Sequence, residues 1–305
     1  MTPESRASAW MNLEIFKVLS PGLGITLQDQ GRVGWKRFGV PPSGAMDDHA
    51  AGWANSLLDN PSAAPVLELL WQGARLEALC DAWIAITGPE SDGTVPIWRA
   101  VRVKTGDVVQ FPRLRSGLWS YIGVEGGFEG RRILESESVY ARGKLGLSFV
   151  AEDVVYRRSR DSFHLPAGIA GRFLARNERR NYDSPPALRV WAGPQWSFFD
   201  QAEREKFFNE KWMVTSQSDR VGYRLSGVPL KSKAAQIISE PVRVGSVQVP
   251  ENGQPIVTMR DGPTVGGYQK IGMLDPEDVS WLAQCRPGQR VRFQLWPLQP
   301  GGEIT

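Results

Sequence analysis

A ten-residue stretch occurs twice in this chain of 305 residues. Residues 32–41 read Arg-Val-Gly-Trp-Lys-Arg-Phe-Gly-Val-Pro and residues 220–229 read Arg-Val-Gly-Tyr-Arg-Leu-Ser-Gly-Val-Pro, with six identical positions. Two further pairs follow in the same order: Glu68–Gly73 matches Glu240–Gly245, and Gly106–Phe111 matches Gly288–Phe293. A repeat that takes up most of half the chain predicts two copies of one domain, related by internal duplication, rather than a solenoid.

The length agrees with two domains of about 150 residues each. The segment between the two copies is rich in arginine and ends in Pro185-Pro186. We therefore predict a first domain over residues 13–160, a basic and proline-containing linker over 161–186, and a second domain over 187–297. The linker is interpreted as solvated, with an anion-binding or partner-binding arm as the alternative.

Most apolar residues fall in short runs bounded by Gly, Pro, Asn or Asp, such as 83–86, 119–124 and 244–249. Many short strands separated by turn signals predict β-barrels or β-sandwiches. Helices are few. They are predicted over residues 46–58, over 197–209, and from an N-cap at Asp275 with Pro276 in the first turn. The fold class is mainly β.

Composition excludes several classes of protein. A net charge of +3 is too small to indicate a nucleic-acid-binding protein, and no stretch approaches a membrane span. The two cysteines, Cys80 and Cys285, offer no disulfide framework. With no secretory core near the first residue, the sequence predicts a cytoplasmic protein.

Common catalytic motifs are missing from the sequence. The two histidines, His49 and His164, belong to no cluster with metal-ligand spacing, so no metal site is predicted. The chain has no phosphate-binding loop of the P-loop or dinucleotide type and no Gly-x-Ser-x-Gly. It also lacks Ala-Met-Lys-Met, the sequence that carries covalent biotin. A biotin carrier would have to be another chain.

Three segments combine glycine with polar residues that can hold an anion. The first runs from Gln28 to Asp47, and its Ser43-Gly44 pair is expected just before a helix, where backbone N–H groups are free. The same residues are equally compatible with a turn held by Asp29 and Arg32 and with a helix cap. The second, 218–224, is the copy of the first, and its arginine is open to the same two interpretations.

The third segment runs from Gln248 through Thr264-Val265-Gly266-Gly267-Tyr268 to Lys270. A Gly-Gly pair flanked by a hydroxyl, a phenol and an ammonium group can stabilise a developing oxyanion. The aligned residues 89–98 of the first copy show no such set, and a loop elaborated in one copy only is more often functional. We therefore expect the chemistry to concentrate in the second copy.

These segments carry a resemblance to a known family. The chain resembles the allophanate hydrolase subunit 2 family, also called the Kip A or biotin-dependent carboxyltransferase family, whose bacterial members include the C component of 5-oxoprolinase. The matching residues run in order from about 13 to 295 and include Gln28-Asp29, Gly31-Arg32, Ser43-Gly44-Ala45-Met46-Asp47, Gly193-Pro194-Gln195, Ser218-Asp219-Arg220-Val221-Gly222-Tyr223, Glu240, Gln248-Val249-Pro250, Gly253-Gln254-Pro255 and Thr264-Val265-Gly266-Gly267-Tyr268.

The resemblance implies two tandem cyclophilin-like β-barrel domains and a heteromeric enzyme. It implies a subunit-1 (Kip I-type) partner, a third lactam-utilisation-type subunit, and ATP used in the complex to open 5-oxoproline to glutamate. One alternative is the carboxyltransferase component of a urea carboxylase, which would use biotin on another chain. Another is a non-catalytic protein that binds the Kip I-type kinase inhibitor.

Two departures from the family pattern stand out. Family members usually carry Gly-Ser-Arg-Ser-Thr where this chain reads Glu135-Ser136-Glu137-Ser138-Val139. Glu137 reverses the charge expected there and would oppose an anionic ligand. Gln269 replaces a proline in the Gly-Gly-Tyr-Pro turn.

The candidate site residues divide into two groups. Those expected to act on the reacting amide are Arg220, Tyr223, Tyr268 and Lys270. Those expected to bind the substrate are Gln28, Asp29, Arg32, Ser43, Gly44, Asp47, Glu240, Gln248, Gln254, Thr264, Gly266 and Gly267.

Overall fold

The computed structural model describes residues 13–93, 95–146, 148–158, 168–233 and 237–296. His164 and the first part of the predicted linker lie outside these residues. The described chain forms two compact units that are interleaved in sequence. Unit 1 contains residues up to 31, 50–115 and 120–179, and unit 2 contains 32–49, 116–119 and 180 onward. The contiguous ranges 13–160 and 187–297 therefore remain a prediction for the domains.

The chain is mainly β, as predicted, and its described residues contain three α-helices. The helices are α1 (Asp48–Leu57), α2 (Gln201–Asn209) and α3 (Pro276–Ala283). Single turns of 3-10 helix occur at Lys36–Phe38, Ala141–Gly143, Arg176–Glu178 and Trp196–Phe198. No helix in the described residues is long and apolar enough to cross a membrane.

Unit 1 is built from two five-stranded sheets around one apolar core. Its strands are β1 (Leu13–Pro21), β2 (Ile25–Gln28), β3 (Val66–Leu70), β4 (Ala74–Ala78), β5 (Ala82–Thr87), β6 (Arg99–Val103), β7 (Val108–Gln110), β8 (Trp119–Val124), β9 (Phe128–Glu129) and β10 (Val154–Arg157). The sheet orders are β7-β4-β1-β10-β9 and β2-β3-β8-β5-β6. Strand β4 alternates buried Ala74, Leu76 and Ala78 with outward Arg75 and Glu77, whereas every residue of the central strand β8 is buried.

Unit 2 contains an eight-stranded sheet whose two end strands are neighbours in sequence, so that the sheet is a nearly closed barrel. Its strands are β11 (Leu188–Ala192), β12 (Trp212–Val214), β13 (Gly222–Ser226), β14 (Glu240–Pro241), β15 (Ser246–Val249), β16 (Ile256–Thr258), β17 (Val265–Gly266), β18 (Gln269–Leu274), β19 (Arg290–Val291) and β20 (Phe293–Leu295). The sheet order is β19-β12-β13-β16-β15-β18-β11-β20, and β14 pairs with β17 in a separate ribbon. Closing a sheet in this way protects its edges.

Helix α3 begins at its predicted start signal, whereas α2 begins at Gln201, after a separate 3-10 turn at Trp196–Phe198, and not at residue 197 as predicted. Asp200 caps α2 by accepting a hydrogen bond from the Glu203 N–H at 3.0 Å. Asp275 caps α3 by accepting from the Glu277 N–H at 3.1 Å, and Pro276 occupies the first turn. Helix α1 begins at Asp48 rather than at residue 46, because Met46 and Asp47 are taken up by the buried segment that precedes it.

The internal repeat is preserved locally at one pair of glycines and lost at another segment. Gly106 and Gly288 both have φ of +87°, and their N–H groups bond to the last carbonyls of β4 and β12 at 2.8 Å. Residues 32–41, in contrast, form a loop with a 3-10 turn, whereas 222–226 of the second copy form β13. The repeat would place Arg32 and Arg220 on equivalent elements of the two copies, and the structure contradicts that prediction.

Candidate functional site

A buried ion pair lies at the centre of the third polar segment in unit 2. The side chain of Lys270, on β18, is 3% exposed and pairs with the carboxylate of Glu240, on β14. Gln195 joins both residues, because its Nε2 donates to Glu240 Oε1 at 2.9 Å and its Oε1 accepts from the Lys270 N–H at 3.0 Å. Three residues far apart in sequence are thus held in one hydrogen-bonded group.

The Lys270 ammonium group has more donors than partners. An ammonium group carries three N–H donors. In the part of the chain that the structure describes, Glu240 is its only ion-pair partner and no hydrogen bond satisfies the remaining donors. A buried donor without an acceptor costs about 1–3 kcal/mol, and more when it is charged. An oxygen acceptor placed beside Lys270 would satisfy these donors.

Strand pairing brings the neighbouring polar residues to this lysine. Gln248 is the register partner of Lys270 between β15 and β18, and Gly266 is the partner of Glu240 between β14 and β17. The buried Gln248 side chain donates to Thr258 Oγ1 at 2.8 Å. A Cβ at Gly266 would lie 3.2 Å from Gln248 Oε1 and 3.1 Å from Val242 Cγ2, so that a side chain there would crowd both.

The charge of Glu240 is stabilised by the same group. Its hydrogen bond with Lys270 is the largest cause that holds the pKa of Glu240 below its usual value of 4.5. Partial burial opposes this effect and the Gln195 amide adds to it. Glu240 is consequently ionised at neutral pH and keeps the Lys270 ammonium in place.

The first copy shows a different partner at the repeated glutamate. Glu68, which aligns with Glu240, is buried and accepts a hydrogen bond from the Tyr121 hydroxyl at 2.8 Å. The Lys270–Glu240 ion pair itself lies in the second copy, within the third polar segment and its neighbouring ribbon.

Arg220 braces the wall of the unit and does not carry a free positive charge. Its guanidinium donates to Asp261 Oδ2 at 2.7 Å and to the Gly44 carbonyl at 2.8 Å. It also lies over the ring of Trp119, 6.0 Å from the centroid. The ion pair with Asp261 offsets the charge of Arg220. We therefore expect Arg220 to hold the loops around it in place rather than to attract an anion directly.

The Ser43-Gly44 pair does not precede a helix directly, which corrects our expectation. Both residues have positive φ, 57° and 91°, and α1 begins only at Asp48. Free N–H groups of a helix N-terminus are therefore not available at Ser43. The Ser43 N–H donates to the Arg260 carbonyl at 3.0 Å, and its buried hydroxyl has no hydrogen-bond partner among the described residues.

Asp47 is the centre of a buried hydrogen-bond network in unit 2. Its Oδ2 accepts from the Tyr182 hydroxyl at 2.8 Å and from Gln284 Nε2 at 2.9 Å, and Arg180 lies 3.8 Å from its Oδ1. Gln284 also accepts from the N–H groups of Leu118 and Trp119 at 2.8 and 2.9 Å. These internal hydrogen bonds order the loop that carries Asp47.

Gln28 and Asp29 lie in unit 1, and Asp29 serves its own loop. The carboxylate accepts from the Ser136 and Ser138 hydroxyls and from the N–H groups of Gly31 and Glu137, at 2.5 to 2.7 Å. Burial raises the pKa of Asp29, but these four hydrogen bonds outweigh it and hold the pKa below 3.8. Gln28 is buried, and its Nε2 donates to Thr26 Oγ1 and the Val139 carbonyl.

Glu137 does not present an unbalanced negative charge. Its carboxylate pairs with Arg158 and accepts from the Gly130 N–H at 2.8 Å. Burial is the largest cause that raises the pKa of Glu137 above 4.5, and Arg158 opposes it. The unusual sequence at 135–139 is thus neutralised within unit 1, with Ser136 and Ser138 holding Asp29.

The remaining candidates are placed apart from the Lys270 group or at its edge. Tyr223 is buried and its hydroxyl donates to the Ala283 carbonyl at 2.5 Å, which is a core contact. Gln254 braces Gly227 through two hydrogen bonds of 2.8 and 3.1 Å. Arg32 is buried, and its N–H donates to the Pro42 carbonyl at 2.7 Å.

Three candidates follow the ribbon that carries Glu240. The carbonyl of Thr264 accepts from the Val242 N–H at 2.9 Å, and that of Gly267 accepts from the Ile237 N–H at 3.2 Å. Tyr268 is 42% exposed. Thr264 and Gly267 therefore act through their backbone in fixing the ribbon, whereas the Tyr268 ring is available at its surface.

Several residues of these networks were not among the candidates. Gln195 lies in a Gly-Pro-Gln stretch that matches the family, which was an available signal. Arg180 and Tyr182 lie in the predicted linker, and the structure differs from a solvated segment there, since Ile169, Leu174 and Tyr182 are buried. When a side chain is buried by residues that are distant in sequence, the local composition gives little sign of it. No group of three or more potential metal ligands occurs among the described residues.

Curated relatives match nearly the whole chain. The chain is 32% identical to the C component of 5-oxoprolinase from Escherichia coli over 286 residues, covering 92% of this chain and 90% of the relative. It is 30% identical to the Haemophilus influenzae protein of the same name, with the same coverage. Urea amidolyase of Saccharomyces cerevisiae is 29% identical, but the match covers only 16% of that longer protein.

Solved structures share the fold. TTHA0988 superposes with a TM-score of 0.82 at 31% identity, over 92% of this chain and 56% of that one, so this chain spans little more than half of TTHA0988. Urea amidolyase of Kluyveromyces lactis gives a TM-score of 0.83 at 26% identity, over 96% of this chain and 19% of that protein. The family described as carboxyltransferase domain, subdomain A and B, matches residues 38–295. The chain therefore belongs to this carboxyltransferase family.

Proposed function

We propose that this chain is the component of an ATP-dependent 5-oxoprolinase that holds the lactam group of 5-oxoproline. It would act with a subunit-1 (Kip I-type) partner and a third lactam-utilisation-type subunit. The proposal is supported by the two relatives named as the C component of 5-oxoprolinase, of which this chain covers 90% each. Because these relatives are named as one component of an enzyme, we expect this chain to be active in a complex and not in isolation.

The observation that carries the proposal is the buried Lys270 ammonium with donors left over. Opening a lactam places negative charge on its oxygen. A positioned donor at that oxygen contributes about 3 kcal/mol to the transition state, because a preorganised donor needs no reorientation during the reaction. Glu240 and Gln195 would hold Lys270 in place for this contact.

The donor set around Lys270 suits one oxygen and does not suit a triphosphate. A triphosphate is usually held by several backbone N–H groups, a lysine and a divalent cation. The Lys270 group offers one ammonium, already paired with one carboxylate. We therefore assign ATP to another subunit of the complex.

A carboxyltransferase role is the second candidate, supported by the family match and by the urea amidolyase structure. Release of carbon dioxide from carboxybiotin leaves charge on a ureido oxygen, which the same Lys270 donors could stabilise. The biotin would then be carried by another chain. The regulatory alternative, in which the protein binds a Kip I-type partner without catalysis, loses some support because Glu137 is neutralised by Arg158.

A reconstitution assay separates these functions. The chain would be purified together with its subunit-1 partner and the third subunit, and ATP-dependent release of glutamate from 5-oxoproline would be measured. Glutamate release that requires this chain supports the proposal. Carboxylation of urea by the pair with a carboxybiotin carrier, without glutamate release, would establish the second candidate instead. Tight binding of the partner with neither reaction would establish the regulator.

A further inference from the structure

A cavity of about 430 Å³ opens in unit 1, and none of the candidate site residues lines it. It lies beside the start of β6 and is lined by Glu90, Ser91, Gly93, Val95, Pro96, Ile97, Arg99, Arg115 and Arg179. Its volume falls within the range of about 300–1,000 Å³ that small-molecule sites occupy. Its most distinctive feature is that three of the lining residues are arginines.

The three arginines come from separate parts of the chain. Arg99 is the first residue of β6, Arg115 follows β7, and Arg179 follows the 3-10 turn at Arg176–Glu178. The segment that carries Arg179 is fixed to the sheet, because the Leu174 N–H donates to the Trp98 carbonyl at 2.8 Å. Three arginines from three separate segments thus line one cavity.

The Arg179 guanidinium is held in place by a neutral group. Its Nε and Nη2 both donate to the Leu174 carbonyl, at 3.0 and 2.9 Å. Burial is the largest cause that lowers the pKa of Arg179, and the neighbouring charges of Arg176 and Arg99 lower it further, against the opposing effect of Glu90. Arg179 therefore lies in a partly desolvated, positively charged environment.

The cavity carries more positive than negative charge. Arg115 pairs with Asp92 at 2.5 Å and Arg176 pairs with Glu90 at 3.2 Å, so both carboxylates near the cavity are already matched. Within the described ranges, neither Arg99 nor Arg179 forms an ion pair with a carboxylate. Two positive charges are thus left for a ligand, which would be a dianion.

The cavity also has apolar lining residues, and the segment that carries them is anchored at Trp98. Val95, Pro96 and Ile97 line the cavity, and the next residue, Trp98, is buried with φ of +60°. Trp98 Nε1 donates to the Gly88 carbonyl at 2.8 Å, and its N–H donates to the Ile86 carbonyl at 2.6 Å. Anchored apolar residues and arginines in one lining suit a ligand with a carbon body and one strongly negative end.

We propose that this cavity binds a small phosphate monoester, with its phosphate group on Arg99 and Arg179. A phosphate dianion presents oxygens in several directions, so more than one guanidinium can bond to it at once. A single carboxylate presents two oxygens in one plane, which match a single guanidinium fork. The site is separate from the Lys270 group and makes this chain a binder of a second ligand.

The test measures binding of glycerol 3-phosphate, inorganic phosphate and succinate to the full chain by titration calorimetry in a chloride buffer. Glycerol 3-phosphate is expected to bind, and inorganic phosphate to compete with it. Arg99→Gln and Arg179→Gln should each weaken binding by about tenfold or more, equivalent to about 1.4 kcal/mol. Arg102→Gln is the matched control, because Arg102 lies on the same strand, pairs with Asp81 and does not line the cavity.

Each outcome of this test decides for or against the proposal. Absence of phosphate binding at millimolar concentration would overturn it. So would equal weakening by Arg102→Gln, which indicates general charge attraction. Succinate binding as strong as glycerol 3-phosphate binding would overturn the choice of a phosphate group. If Arg179→Gln lowers stability, Arg99→Gln still tests the site, because Arg99 is exposed and its side chain makes no ion pair within the described ranges.

Discussion

The Tyr182 hydroxyl donates to Asp47 Oδ2 across 2.8 Å, joining residues 135 positions apart in sequence. Burial is the largest cause that raises the pKa of Tyr182 well above 10, and the Asp47 charge raises it further. The phenol therefore stays protonated and remains a donor at every physiological pH. This contact connects a family motif in the first half of the sequence with a segment that looked like a linker.

Tyr182→Phe should lower the free energy of unfolding by about 1–3 kcal/mol, because it removes one donor from a buried carboxylate. The loss of unfolding free energy is expected near the lower end of this range, since Gln284 still donates to Asp47. Urea denaturation measures it. Tyr156→Phe is the control, since Tyr156 is 37% exposed on β10, and it should change stability by less than about 0.5 kcal/mol. Equal effects of the two substitutions would show that the Asp47 contact contributes nothing.

Lys270→Met should reduce turnover of the reconstituted complex by about 10²-fold, as removal of one preorganised donor does. Folding should be retained, because Glu240 is one-third exposed and water can solvate its carboxylate once the ammonium is gone. Lys211→Met is the control, because Lys211 is exposed just before β12. If Lys270→Met keeps wild-type turnover and a normal unfolding midpoint, Lys270 does not take part in the reaction.

Arg32→Ala should behave in the opposite way to Lys270→Met. Arg32 is 2% exposed and lies in a loop without a role at the Lys270 group, so its loss should lower stability first. We expect a lower unfolding midpoint and, below that midpoint, turnover close to that of the wild type. A large loss of turnover with unchanged stability would instead place Arg32 at the substrate.

Gly266→Ala tests the close approach beside Lys270. The added Cβ would lie 3.1 Å from Val242 and 3.2 Å from Gln248 Oε1, so both must move by a few tenths of an ångström. We expect a loss of turnover larger than the loss of stability. Gly52→Ala is the matched control, because Gly52 lies in α1 with open space around its Cβ position. That substitution should raise stability by about 0.5–1 kcal/mol without affecting turnover.

The fold class was predictable from the sequence, and the arrangement of the site only in part. Short apolar runs with turn signals were enough to indicate mainly β structure, and Asp275 with Pro276 marked the start of α3. The ten-residue repeat was misleading in structural terms, because 32–41 forms a loop with a 3-10 turn whereas 222–226 of the matching stretch forms a strand. Backbone conformation at such a segment is set by its tertiary partners, which local sequence does not encode.

The site residues, too, were predictable from the sequence only in part. Lys270, Glu240, Gln248 and Gly266 were among the candidates, and strand register brings them together. Residue type alone, however, did not distinguish a donor that faces a ligand from one that faces a carboxylate. Arg220 has the chemistry of an anion binder, yet its charge is matched by Asp261. Such pairing depends on contacts between residues 41 positions apart, which only a structure reveals.

His49 provides a pH-dependent prediction. Burial is the largest cause that lowers the pKa of His49 below 6.5, and Arg180 lowers it further, while Asp47, Asp48 and Glu277 oppose the shift. The folded protein therefore holds His49 neutral at a pH where the unfolded chain begins to bind a proton. Protonation favours the unfolded chain, so this part of the stability is present above pH 6.5 and is lost as the pH falls through the folded pKa.

Replacing His49 with glutamine should remove that dependence. The free energy of unfolding of the wild type should fall more steeply than that of His49→Gln between pH 7 and pH 5, with a difference in slope of at most about 1.4 kcal/mol per pH unit for one proton. Most carboxylates titrate below this window, and His164 is common to both proteins, so the difference isolates His49. Urea denaturation at a series of pH values measures it. A wild type that gains stability relative to His49→Gln on acidification would mean that the acidic neighbours, and not burial and Arg180, control this side chain.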